Sequence, residues 1–166
     1  MKYWKAGLIF LVAFLIQGSI LNMISIGQST PNVLLCLVVI FSFLYDKEMY
    51  GILFGAFFGL LYDVCYNYVY GSTAIAFLLV AVLVMLLRYY ANVENTVSMA
   101  VVSLISFVTY YVLSWGLMKF TGNPLGLGYV MTKATPVIIM SIIVIIIMYK
   151  LMIKDVVKYH KDRYFR

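Results

Sequence analysis

Charge is what this sequence has least of. Asp, Glu, Lys and Arg together make up 11% of its 166 residues, against about 25% in soluble domains. Residues 6–45 contain no charged side chain at all. There is one histidine, His160, and it lies in a charged C-terminal stretch. No His, Cys, Asp or Glu group has the spacing of a metal site, and no glycine-rich loop ends in the Lys-Ser/Thr of a phosphate cradle. Only two cysteines occur, Cys36 and Cys65, both inside apolar runs. That excludes a disulfide scaffold, and both are expected to be buried thiols, which behave as small hydrophobes. Catalysis needs positioned acids, bases or nucleophiles, and the chain offers no such cluster.

What is there instead is hydrocarbon. Apolar residues make up 65% and mean hydropathy is +1.03, too little polar surface to cover a water-soluble globule. A cytosolic enzyme, a secreted domain and a disordered chain are excluded, leaving an integral membrane protein of one domain's length. A helix rising 1.5 Å per residue needs about 20 apolar residues to cross roughly 30 Å of hydrocarbon. Six apolar runs are predicted, near 6–26, 31–45, 49–66, 72–87, 95–118 and 132–153, with a basic tail over 154–166. The second and third are shorter than a straight crossing prefers, which calls for local thinning, tilt of neighbours or a broken helix. Gly27-Gln28-Ser29-Thr30-Pro31 separates the first two runs, with Thr30 suited to N-cap the second and Pro31 to its first helical position. Gly122, Gly126 and Gly128 mark a turn before the sixth. Lys2 and Lys5 precede an apolar run as in a signal peptide, but no Ala-x-Ala cleavage site follows, so the run is expected to remain as the first helix.

Basic residues set the direction. With the N-terminus inside, Lys2, Lys5, Lys47, Arg88, Lys150, Lys154, Lys158, Lys161, Arg163 and Arg166 are cytoplasmic, and only Lys119 and Lys133 are outside. Such a split calls for an even number of spans with both termini cytoplasmic. Aromatic belts agree: Tyr3, Trp4, Tyr89, Tyr90 and Tyr149 at the inner boundary, and Tyr66, Tyr68, Tyr70, Trp115 and Tyr129 at the outer one. The net charge of +6 is therefore a topology signal and does not point to nucleic acid. Lys150, Lys154, Lys158 and Lys161 share one face of a helix running on from the sixth span. That face suits anionic lipid, or alternatively a cytoplasmic partner.

Two features carry more specific information. Gly51, Gly55 and Gly59 recur every fourth residue, drifting about 40° per step around a helix. Small residues let helix backbones approach closely where the bilayer gives no hydrophobic drive to association, so the stripe is a packing face, either within the bundle or toward another protein's helix. Asp63 continues it by one turn and is the only acid within a span. An intramembrane carboxylate is costly and usually finds a partner. The candidates are an ion pair with Lys133 (or Lys119), or hydrogen bonds near Asn67 and Thr132.

These features occur together in an order that resembles the rod shape-determining protein MreD family: a basic N-terminus and first helix, Thr30-Pro31-Asn32 before a Leu/Val-rich helix, Gly51-x3-Gly55-x3-Gly59-Leu60-Leu61-x-Asp63, a short aromatic loop, and Gly71 opening the fourth helix. Asn32 stands where the family often has an acid, and Asn67 where it often has a small residue. The resemblance implies a six-helix all-α membrane bundle similar to the S-components of energy-coupling-factor transporters. It also implies a non-enzymatic subunit of the bacterial elongation machinery, without a cofactor, in the cytoplasmic membrane. Its partners there would be MreC, the RodA glycosyltransferase with its penicillin-binding transpeptidase, and indirectly MreB filaments, in support of peptidoglycan synthesis. Gly51, Gly55, Gly59, Asp63 and Gly71 would shape the packing core or partner surface. The alternative is a small-molecule-binding transporter subunit of the S-component kind. Few intramembrane polar groups are available for a polar cargo, and Ala6 and Ala13, seven apart, do not form the Ala-x3-Ala ridge by which S-components meet their transport partner. A proton or ion pathway would need more than one acid.

Overall fold

The computed structural model describes the backbone of residues 3–23, 30–45, 49–67, 69–122 and 125–164, and side chains up to residue 153 except those of 19–23. Lys2, Gly27, Gln28, Ser29, Lys47, Tyr68 and Pro124, and the side chains of Lys154, Lys158, His160, Lys161 and Arg163, lie outside the described residues, as does Arg166. Six helices follow one another: α1 Tyr3–Met23, α2 Val33–Leu44, α3 Tyr50–Tyr66, α4 Ser72–Arg88, α5 Thr96–Phe120 and α6 Leu127–Tyr164.

The shortest helix is the centre. α2 is apolar on every side, and each residue from Leu34 to Leu44 is buried, as a helix without a polar face must be. It touches all five other helices, while α1, α3, α4, α5 and α6 pack in sequence around it. Its 12 residues rise only about 18 Å, too short to cross a bilayer alone, but its backbone is enclosed by protein, where a short or interrupted helix is tolerated. Aromatic rings fill the α1–α2–α3 side, where Phe10 stacks on Phe54 and Phe58 and tilts against Phe41.

The start of α2 differs from the expectation. Its N-cap is Asn32, whose side chain accepts from Leu35 N at 3.0 Å, so that Thr30 and Pro31 both precede the helix. Asparagine is the stronger cap, and here it is held from two other helices. Gln17 of α1 donates to Asn32 Oδ1 (3.2 Å) and accepts from Leu34 N (2.8 Å), while Asn32 N donates to Ser141 Oγ of α6 (3.0 Å). Three orphan N–H groups at the start of a helix that begins inside the bundle, those of Asn32, Leu34 and Leu35, are thereby paired. Cys36 is buried and its thiol donates to the Ser141 carbonyl at 3.5 Å. Cys65 is exposed, against expectation, because it lies two residues, about 200°, around α3 from Asp63.

The outside is as apolar as the inside. Leu53, Phe57, Leu60 and Val64 line the outward face of α3, and Ile139, Ile143, Ile147 and Leu151 that of α6. α5 and the Leu127–Ile153 part of α6 are long and apolar enough to cross a membrane, yet only 28% and 22% of their most apolar windows are buried. A soluble protein's core helix is mostly buried, so these faces are built for lipid. Most of the expected belt aromatics are exposed near helix ends, including Trp4, Tyr70, Tyr89, Tyr90 and Tyr129. Tyr149 departs from this: it is buried, and its hydroxyl donates to the Val93 carbonyl at 2.6 Å, tying α6 to the α4–α5 turn. α6 starts at Leu127, five residues earlier than predicted, because Gly126 and Gly128 do not end the turn. The Trp115 indole N–H holds the Leu125 carbonyl at 3.0 Å, and the helix begins at once.

Candidate functional site

The glycine stripe lies between α3 and two neighbours of the same chain. A Cβ on Gly51 would strike Ser42 Oγ and come within 2.9 Å of both Ser42 N and Val38 O on α2. At Gly55 it would meet Val38 on α2 at 3.0 Å and Phe77 on α4 at 3.7 Å. At Gly59 it would lie 2.9 Å from Ala74 Cα and 3.1 Å from Ala74 N. The drift of the stripe around α3 thus carries its contact from α2 to α4. At Gly51 and Gly59 the obstacles include backbone, which cannot step aside.

Gly51→Ala is expected to destabilise the bundle by about 1–3 kcal/mol, as overpacking does, and Ser42→Ala is expected not to rescue it because the two backbone contacts remain. Ser42→Ala alone is expected to be nearly neutral, since the Ser42 hydroxyl is buried without a hydrogen-bond partner. Thermal unfolding of the two single variants and the double variant in detergent checks both outcomes.

One turn beyond Gly59, Asp63 is completely buried. The close approach at Gly59 brings it beneath the first turn of α4. Its Oδ2 accepts from Thr73 N at 2.8 Å and Ala74 N at 3.2 Å, and its Oδ1 from Asn67 Nδ2 at 2.6 Å. The N-cap of α4 is Gly71, with φ +88° and no side chain to cap with. Asp63 therefore supplies from α3 the cap that α4 lacks. Gly71 is what permits the turn, since φ near +88° strains other residues. Asn67 closes the arrangement by donating also to Thr73 Oγ1 at 2.9 Å.

The structure pairs Asp63 differently from the sequence expectation. Lys133 is exposed on α6 and is not among the partners of Asp63; Lys119 is likewise exposed. Thr132 turns its hydroxyl to the Gly128 carbonyl of its own helix at 2.8 Å. Asn67 alone of the named candidates is a partner. The reason is proximity: the N-terminus of α4, ten residues on, meets the charge before any lysine of α6 is needed. Thr73 and Ala74 escaped the sequence reading because backbone N–H groups leave no mark in it. The available signal was Gly71-Ser72-Thr73, a helix start whose capping position carries no side chain.

α5 meets α4 beside this network, where the Tyr110 ring lies 5.5 Å from that of Phe77. Beside it lies a partly open cleft of about 200 Å³ between the end of α5 and the start of α6, with Lys119 on its lining. At the other end of the molecule Lys150 is exposed. The helical backbone continues to Tyr164, placing Lys154, Lys158 and Lys161 on the face of Lys150. Among the described residues no group of His, Cys, Asp or Glu could hold a metal ion.

The family model described as rod shape-determining protein MreD matches residues 1–158. This chain belongs to the MreD family. It is therefore a rod shape-determining protein of the bacterial membrane, of a family that works in the rod-shape complex. Comparison with curated proteins and with solved structures gives no match. For an MreD-family chain the site has a plain chemical meaning. Both oxygens of its one described buried acid are engaged in holding two helices together, and what it builds is a fixed α3–α4 hairpin.

Proposed function

We propose that this chain is a non-enzymatic membrane scaffold of the bacterial elongation complex, holding MreC and the RodA–transpeptidase pair near MreB filaments by helix–helix contacts and so supporting peptidoglycan synthesis along the cell wall. The observation that carries this reading is the engagement of Asp63 by three donors, in a chain whose outward faces are largely apolar. The polar chemistry is used for building, and what the protein offers its surroundings is helix surface. Depleting it in its own bacterium is expected to turn rods into spheres and to remove fluorescent D-amino-acid label from the side wall. Rods that keep growing with normal side-wall labelling would contradict the proposal.

The arrangement that goes with it is six spans with both termini cytoplasmic, similar to an S-component bundle. The ten-to-two distribution of Lys and Arg supports this orientation. Alkaline phosphatase fused after Thr121 is expected to be active, and a green fluorescent protein after the C-terminus to fluoresce. The reverse pattern would invert the topology. As a transporter subunit the chain is poorly equipped. The cleft of about 200 Å³ falls below the roughly 300–1,000 Å³ of pockets that enclose small molecules, and Ala6 and Ala13 are buried within the bundle.

A further inference from the structure

The cleft between α5 and α6 has the chemistry of a lipid site. Its floor is apolar, from Met118, Leu125 and Val130, and Tyr111 and Ser114 add hydroxyls to its wall. Lys119 is the one charged residue on its lining, and no acid accompanies it. Trp115 lines it with its indole N–H already given to the Leu125 carbonyl, so the ring brings no free donor. The cleft lies where α5 ends and α6 begins, which in the proposed six-span arrangement is the level where Trp, Tyr and Lys meet phospholipid headgroups. A transmembrane helix needs a groove long enough for anchors at i, i+4 and i+7. This cleft extends along α5 only from Tyr110 to Lys119, about 14 Å.

We propose that the cleft holds the headgroup end of one anionic phospholipid, its phosphate on the Lys119 ammonium and the upper part of an acyl chain on Met118, Leu125 and Val130. The uncompensated positive charge selects an anionic lipid over a zwitterionic one. This goes beyond the scaffold reading and rests only on the six-span arrangement proposed with it.

Trp4 and Trp115 are the only tryptophans, so Trp4→Phe leaves Trp115 as a reporter inside the site. The Trp4→Phe protein would be reconstituted in vesicles containing either brominated phosphatidylglycerol or brominated phosphatidylcholine at equal bromine density. One lysine at headgroup level favours the anionic lipid about fivefold, so brominated phosphatidylglycerol is expected to quench Trp115 well above the level set by phosphatidylcholine. Lys119→Gln is expected to make the two lipids equal, whereas Lys133→Gln keeps the preference and controls for general surface charge. Equal quenching before any lysine is changed would overturn the proposal. So would a preference that survives Lys119→Gln, or a Trp115 shielded from both lipids as a protein helix seated in the cleft would shield it.

Discussion

Asp63→Ala is expected to destabilise the bundle by on the order of 3 kcal/mol, the largest loss from any single polar side chain. Thr73 N and Ala74 N are in the first turn of α4 and have no carbonyl of their own helix to turn to. Each buried donor left unpaired costs about 1–3 kcal/mol, with no water in a bilayer to relieve it. Asp63→Asn is expected to cost less, about 1–2 kcal/mol. It keeps an oxygen for α4, accepts as a weaker neutral amide, and sets an NH2 group against Asn67 that a flip of Asn67 can accommodate. Lys133→Met is expected to change stability by less than about 0.5 kcal/mol, as surface substitutions do. Thermal unfolding of the three variants in one detergent gives the order. An effect of Lys133→Met as large as that of Asp63→Ala would restore the ion pair and remove the cap.

Gly59 is the second position of large effect. Its missing Cβ leaves room for Ala74 Cα and N, which would otherwise sit at 2.9 and 3.1 Å. These atoms belong to the backbone that Asp63 caps. Gly59→Ala is therefore expected to cost about 1–3 kcal/mol by overpacking, and Gly59→Leu to separate α3 from α4 and release the Thr73 and Ala74 N–H groups as well. Gly116 on α5 is the matched control, because nothing lies within 4 Å of a Cβ placed there. Gly116→Ala is expected to be neutral or to stabilise by up to about 1 kcal/mol through helix propensity. Hydrogen exchange at the start of α4 distinguishes the two mechanisms. Gly59→Leu should speed exchange of the Thr73 and Ala74 amides, and Gly116→Ala should leave them protected. If Gly59→Leu left that exchange unchanged, the stripe and the cap would be independent.

Periodic features were the legible part of this fold. Six helices could be read from runs and breaks, and the glycine spacing put three small residues on one face of α3 without reference to any other helix. What they met was less accessible. The partner of Gly59 is the backbone at Ala74, and the partners of Asp63 are mostly main-chain groups, so the sequence pointed instead to lysines, the partners visible as letters. The same limit hid the second polar cluster. Gln17 and Ser141 are 124 positions apart, and only the central placement of α2 brings both to Asn32. That placement did have a signature: Val33-Leu34-Leu35-Cys36-Leu37-Val38-Val39-Ile40-Phe41-Ser42-Phe43-Leu44 has no polar face to turn outward. Two asparagines, Asn32 and Asn67, each link side chains to a helix start. Residue type at such positions is set by the local hydrogen-bond geometry, which spacing does not encode.

The geometry also changes what substitutions on the stripe can report. Gly55 packs against Val38 and Phe77 of its own chain, so Gly55→Leu disrupts the bundle before it can disrupt a partner contact. Outward residues such as Phe57 and Ile143, both exposed, are where a lost partner is interpretable.

The most direct test of the scaffold reading is recovery of the tagged, full-length protein from its own membranes in mild detergent, with mass spectrometry of what stays bound. MreC and RodA-class proteins are expected in the wild-type sample, retained in Lys133→Met and reduced in Asp63→Ala. Recovery of paired ATPases with a shared transmembrane coupling subunit, and no elongation proteins, would contradict it.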